Sequence, residues 1–354
     1  MCGVILQLFS EPSRSMKHIL KFYGLPEEST IIPLTSGLFN STWKVVGDDR
    51  HYILQKINVE VFKKPYELAS NIRMIGDYLA VNAPEYLFVS TIKTINGDDI
   101  VLDEAGYFRM FPFINGSHTV DVVKTTEEAY EAAYQFGRFT QQLSKFDANK
   151  LNITIPGFHN LSWRFQQFED SLKNGNAQRI EECQDLIYTV RQHKSILTTF
   201  ESIQKDTDVK IRVAHHDTKI SNVLFDESNK GLCVIDLDTV MPGYFISDVG
   251  DMMRTYLSPA SEEVKNFDDI LVRPDFYKAI VQGYLAAMGD ELTVKEKKLI
   301  PYSGLFLTYM QALRFLTDHL NNDRYYGARY EGHNRVRAEN QLTLLKRMVE
   351  TIPQ

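Results

Sequence analysis

Cysteine is scarce in this sequence: three residues among 354, Cys2, Cys183 and Cys233, far apart and without the short spacings of a metal site. An odd, scattered set argues against a disulfide framework and fits a reducing compartment, so the expected location is the cytoplasm. Positive charge is not in excess either. A formal net charge of −7 provides no field to draw nucleic acid or an anionic membrane. No run approaches the roughly eighteen apolar residues of a transmembrane helix. The opening "MCGVILQLF" lacks a basic leader region and its apolar run is short, so it is expected to be a frayed start or a first strand rather than a signal peptide. Internal repeats and low-complexity linkers are absent as well.

What is present is a globular composition, 44% hydrophobic and 24% charged, with enough chain for one large domain or two unequal ones. The texture changes along it. Over residues 30–113 the segments are short and β-rich: "TIIPL", "TWKVV", "HYILQKI", "LFVSTIKTI", "DIVLD" and "YFRMFPF", separated by turn chemistry such as "GDDR" and "NGDD". One amphipathic segment, "KPYELASNIRMIGDYLAV", interrupts them with Leu68, Ile72, Ile75 and Leu79 on one helical face. Beyond "FPFINGS" the pattern is helical. "TTEEAYEAAYQF" opens with a capping signal, and long helices are expected over "SWRFQQFEDSL", "AQRIEECQDLIYTVRQHKSIL", "PDFYKAIVQGYLAAMG", "YSGLFLTYMQALRFLTDHL" and "RAENQLTLLKRMVET". A small β island, "VLFDESNKGLCVIDLD", lies within this helical part. The expected architecture is α+β: a β-rich N-terminal lobe over residues 1–112, a hinge near 112–116, and a mostly helical lobe over 113–354. A ligand is expected at the cleft of such a pair of lobes.

The chemistry is carried by "HHDTKISN" and "CVIDLDTVMPG". Asp217 is followed five residues later by Asn222, and fourteen residues after that by Asp236, just past an apolar run. Phosphoryl transfer needs positioning and charge neutralisation: an acidic group beside the attacking hydroxyl, and oxygen ligands for Mg²⁺. An Asp, an Asn at plus five and a second Asp on a following hairpin supply these in protein kinases. On that pattern Asp217 accepts the substrate proton, Asn222 and Asp236 hold the metal, and His215 braces the loop. His159 and His333 share no metal spacing and are expected to be structural.

These motifs, with "SGLFNSTWKV", "YILQKINVEVF", "IPGFHNL", "RFLTDHL" and "GHNRVRAENQ", resemble the aminoglycoside phosphotransferase and choline kinase superfamily, which shares the protein-kinase-like fold. More narrowly they resemble N-acetylhexosamine 1-kinases, which use ATP and Mg²⁺. The resemblance implies that the loop containing Ser36, Gly37, Asn40 and Ser41 covers the phosphates. It implies that Lys56 pairs with the α- and β-phosphates, its helix partner being either Glu67 or Asn71. Met110 and Phe113 would meet the adenine. Arg314 and Tyr325 would meet the sugar hydroxyls. Asp238 either adds a metal contact or caps the loop, and Asp248 buttresses the catalytic loop.

Other acceptors stay open: another sugar, choline, homoserine or an aminoglycoside. So does a catalytically inactive nucleotide-binding module, although the intact Asp217, Asn222 and Asp236 argue against it. A protein kinase is disfavoured because no APE motif follows "DLD". No nucleic-acid or membrane partner is expected, and the chain is expected to be a monomer or a weak homodimer.

Overall fold

The structure, a computed structural model, describes residues 14–34 and 40–353. The chain divides into two compact units, Met1–Ser117 and His118–Gln354.

The N-terminal unit contains a short helix α1 (Arg14–Lys17) and strands β1 (Thr30–Leu34), β2 (Ser41–Val46) and β3 (His51–Lys56). Helix α2 (Pro65–Asn82) and strands β4 (Val101–Asp103) and β5 (Gly106–Pro112) follow. The strands form one antiparallel sheet in the order β1-β2-β3-β5-β4. Alternation turns Ile31, Val45, Leu54, Phe108 and Met110 into a common core with Ile19 and Leu20. Pro65 opens α2, and Leu68, Ile72, Ile75 and Leu79 are its buried stripe. The segment "LFVSTIKTI" does not form the strand its β-branched residues favour. It makes one isolated bridge, Ile92 to Met110. Side-chain bonds hold it instead: the Arg73 guanidinium donates to Thr91 O and Oγ1, both at 2.9 Å, and to Asp99.

The C-terminal unit begins with α3 (Thr126–Gln142), closed by a capping box in which Glu128 N donates to Thr125 Oγ1. Then come α4 (Leu161–Asn174), α5 (Ala177–Glu182), α6 (Gln184–Gln192) and α7 (Ser195–Ile203). The single long helix expected over the last three is broken twice. The buried residues of α6 (Leu186, Ile187, Val190) and of α7 (Ile196, Leu197, Phe200, Ile203) point about a quarter of a turn apart on one helical projection. At the second break His193 Nδ1 meets Thr189 O at 3.0 Å, a local bond that ends α6.

Four short strands follow. β6 (Ile211–Ala214) pairs with β9 (Met241–Tyr244), and β7 (Val223–Phe225) with β8 (Gly231–Val234), both antiparallel. Helices α8 (Phe245–Tyr256), α9 (Pro274–Met288), α10 (Val294–Lys298), α11 (Ile300–Leu320) and α12 (His333–Thr351) complete the unit. Helix α8 is almost wholly buried. Gly250 brings it against α11, since a Cβ there would overlap the Ser303 carbonyl. That close approach fixes the helix from which the His215–Asn222 loop hangs. Among the described residues no helix is long and apolar enough to cross a membrane.

Candidate active site

Strand β6 delivers the chain to His215, β7 leaves from Asn222, and β8 ends just before Asp236, so short paired strands set the ends of the loop. Their joint is a main-chain bond, Ile235 N donating to Asn222 O at 2.9 Å. His215 is fully buried between the edges of Phe136 and Phe139. Burial lowers its pKa, so the ring is neutral. Nε2 then donates to Ile235 O at 2.9 Å, and Nδ1 is left to face Asp217 N at 3.4 Å.

Helix α8 straps this loop. Asp248 accepts from His215 N at 2.9 Å and from His216 N at 2.8 Å, and Asp251 accepts from Thr218 N at 2.8 Å. Thr218 Oγ1 donates to Asp248 O, and Tyr256 Oη donates to Thr218 O at 2.6 Å. Burial pushes the Asp248 carboxyl up to about 7. Two residues here are left-handed, His216 (φ 67°), which the strap holds through its N–H, and Asp236 (φ 59°). Each such conformation costs on the order of 1–3 kcal/mol and persists where surroundings enforce it. Gly243 on β9 leaves room for the His216 ring, which any Cβ there would strike. Neither α8 nor its Asp251 was picked out in the sequence reading. The signal was there: Phe245, Ile246, Val249, Met252, Met253 and Tyr256 repeat with helical spacing.

Asp217 is held at both oxygens. Asn222 Nδ2 donates to Oδ2 at 3.0 Å and to the Asp217 carbonyl at 2.8 Å, and Lys219 Nζ lies 3.1 Å from Oδ1. Lys219 is a second residue missed in the sequence. Burial works against its charge, but the fields of Asp217, Asp251 and Asp236 outweigh burial and raise its pKa. Lys219 thus stands in the field of three carboxylates, of which Asp251 also accepts from Arg254 Nε at 3.0 Å. Asp238 is buried. Among the described residues no group of three or more His, Cys, Asp or Glu forms a metal site by itself.

In the N-terminal unit, Ser36 and Gly37 lie outside the described residues. Asn40 Oδ1 accepts from Asn58 N at 2.9 Å, and Ser41 stands opposite Lys56 in the β2–β3 ladder. Glu67 Oε1 accepts from Lys64 Nζ at 2.8 Å, whereas Asn71 is buried in α2. Met110 is an interior strand residue. Its side chain is in the core and its carbonyl accepts from Ile92 N at 2.7 Å. Phe113 N donates to His51 O at 3.0 Å, and its ring lies under Lys44 Nζ at 3.8 Å.

Arg314 and Tyr325 come together on one polar cavity of about 440 Å³, lined also by Arg164, Gln167, Asp318 and Tyr326. The ring of Tyr325 stands edge-on to Tyr326 at 4.8 Å, and the Arg314 guanidinium lies 5.1 Å from the Phe158 ring. Phe158 stacks on His159 at 4.4 Å, and His159 meets the His216 ring at 5.1 Å. The aromatic path therefore runs from the cavity to the residue before Asp217. A polar path does so too. From Thr218 N it passes through Asp251, Arg254, Glu262, Arg337, Asn334 and Asp318, and ends on Tyr325 N at 2.7 Å. His333, away from this cavity, pairs with Glu263.

A five-stranded antiparallel sheet unit, a helical unit and a braced Asp-Asn loop define a kinase-like fold. Solved structures agree over nearly the whole chain. A microcompartment-associated aminopropanol kinase matches at TM-score 0.66 and 16% identity, covering 95% of this chain and 97% of that one. A spectinomycin phosphotransferase in complex with ADP and spectinomycin matches at 0.60 and 15%, covering 96% and 98%. A choline/ethanolamine kinase family protein from Mesorhizobium loti matches at 0.56 and 14%, covering 96% of each. At these identities the likeness is one of fold. The sequence profile of the phosphotransferase enzyme family, APH, matches residues 30–292, and the chain belongs to that family. It is a small-molecule phosphotransferase.

Proposed function

We propose that the protein transfers the γ-phosphate of ATP, with Mg²⁺, to the anomeric hydroxyl of an N-acetylhexosamine, forming the sugar 1-phosphate. The observation that carries the choice of acceptor is the charge of the Arg314–Tyr325 cavity. Among the described residues its one lining carboxylate, Asp318, is already occupied by Tyr325 N, Tyr326 N and Asn334 Nδ2, while arginines supply the remaining charge. Such a lining repels choline, aminoglycosides and aminoalcohols and suits a hydroxylated ring, because guanidinium N–H groups and a tyrosine match sugar oxygens.

In this reading Asp217 orients the anomeric hydroxyl and takes its proton as the new O–P bond forms. Asn222 turns that carboxylate toward the acceptor, and with Nδ2 so engaged its amide oxygen is left for a cation. That oxygen and the Asp236 carboxylate fit Mg²⁺, which takes few protein ligands and completes its shell with phosphate oxygens and water. When bound, the metal neutralises phosphate charge. Lys219 adds a fixed positive charge beside Asp217, where the phosphoryl oxygens arrive. Asn40, Ser41 and Lys56 are the proposed nucleotide contacts of the N-terminal unit, with Phe113 beside the base. A screen of monosaccharides, aminoalcohols and aminoglycosides for ADP release, with and without Mg²⁺, tests the reading. Among these neutral and cationic acceptors, N-acetylhexosamines should give the highest Mg²⁺-dependent rate; preferential turnover of a cationic acceptor would overturn it.

A further inference from the structure

We propose that the acceptor cavity contains an anion subsite built on Arg164 with Arg314, and that the preferred acceptor carries a compact anionic group, a carboxylate or a phosphate, which binds there. The acceptor's being a sugar rests on the reading above; the anion subsite does not.

Arg164 is 7% exposed, yet its side-chain bonds end on neutral groups: Gln167 Oε1 at 3.1 Å, and the Phe158 carbonyl from Nε and Nη2 at 3.4 Å. Among the described residues it forms no ion pair. Arg314 shares the cavity, donates from Nη1 to Gln311 Oε1 at 3.0 Å, and keeps a buried Nε without a partner. It too has no carboxylate. Buried charges are ordinarily paired, because an isolated one loses its hydration without return. Arg212, Arg254 and Arg337 in the same unit follow that rule, reaching Glu296, Asp251 and Glu262.

Two further features aggravate the imbalance. Burial lowers the Arg164 pKa to about 10, and the neighbouring Arg314 contributes in the same direction. Arg164 also stands in the opening turn of α4, the positive end of the helix dipole. Asp318, the carboxylate on the cavity wall, spends its oxygens on the main-chain N–H groups of Tyr325 and Tyr326 and on the Asn334 amide of α12. The missing counter-charge is therefore supplied from outside, by something small enough to share the cavity with a sugar ring. A carboxylate or phosphate on that ring does so, and a planar guanidinium binds either through paired N–H donors.

The test compares each neutral N-acetylhexosamine with its uronic acid and its 6-phosphate, at saturating Mg·ATP, in wild type, Arg164→Gln and Arg164→Lys. One acidic acceptor should exceed its neutral parent by about tenfold or more in kcat/KM, the magnitude expected of a satisfied charge-assisted pair. Which acid gains identifies the anion. Arg164→Gln should bring the ratio to near one, and Arg164→Lys should restore part of it. A wild type that prefers the neutral parent, or a ratio unchanged by Arg164→Gln, overturns the proposal. Calorimetric titration of inorganic phosphate without nucleotide separates the two readings. Phosphate binding that weakens about tenfold in Arg164→Gln, with no sugar turned over, keeps the subsite and removes the sugar. Sugar turnover together with phosphate binding indifferent to Arg164 does the reverse. Thermal melts show whether Arg164→Gln folds; if it does not, the same comparison is read from Arg164→Lys.

Discussion

In the His215–Asn222 loop, the main-chain N–H groups of His215, His216 and Thr218 end on carboxylates of α8, and Asp217 has a partner at each oxygen. In the proposed acceptor cavity, Arg164 and Arg314 end on amides, a carbonyl and aromatic faces. The loop is complete before any ligand arrives, and the cavity is not. Groups that act on developing charge gain from being held in place beforehand. Groups that select a ligand gain from being left unsatisfied without it, because a wrong ligand then leaves them unpaired. One unit of the chain contains both arrangements, joined through Arg254, Glu262 and Arg337.

Changes in the loop should act on turnover and on the fold, and changes in the cavity on acceptor affinity. The largest effect is expected from Asp217→Asn. Loss of the proton acceptor should lower kcat by about 10²–10⁴-fold. The melting temperature should also fall somewhat, because an amide can accept from only one of the two donors, Asn222 Nδ2 and Lys219 Nζ, so kcat is read well below the melt. Near wild-type kcat would remove Asp217 from the chemistry. Next is Asp248→Ala, which strands two buried N–H groups. At about 1–3 kcal/mol for each unsatisfied group, denaturant unfolding should show a loss of about 3 kcal/mol; an unchanged midpoint would mean the strap does not hold the loop.

Arg314→Ala should raise KM for the acceptor about tenfold while KM for ATP stays put. Equal changes in both would erase the distinction between loop and cavity. The smallest effect is a pH dependence. Asp248 titrates in the folded protein at about 7, against an ordinary 3.8. The folded state therefore binds the extra proton between those values. Its contribution to stability is full below 3.8, declines above it, and is lost as pH rises through 7. Melting temperatures of wild type and Asp248→Asn should lie closest below pH 3.8, where both side chains are neutral, and separate toward pH 7 as the wild type loses stability; parallel curves would contradict the shift.

The loop and hairpin that carry Asp217, Asn222 and Asp236 were legible because their spacing is local and runs in sequence order. The sheet was legible where strands alternate, and misleading over "LFVSTIKTI", where Arg73 ties the chain down through side-chain bonds that no local pattern announces. The breaks between α5, α6 and α7 escaped notice because the apolar residues recur at helical intervals while their direction drifts. The cavity was half legible. Arg314 and Tyr325 stood out by resemblance, but Arg164 arrives from α4, a distant part of the chain, and its lack of a carboxylate is a fact of packing alone. Asp251 and Lys219 were in plain view; what they hold became visible only when α8 was laid against the loop.

The central claim is that Asp217 acts on an anomeric hydroxyl presented by the Arg314–Tyr325 cavity. Phosphorus NMR of the product formed from a free N-acetylhexosamine and Mg·ATP, run beside the corresponding 1-O-methyl glycoside, tests it most directly. The account predicts a phosphorus signal coupled to the anomeric proton from the free sugar and no product from the glycoside. A glycoside phosphorylated as readily as the free sugar would contradict it and place the transfer at another hydroxyl.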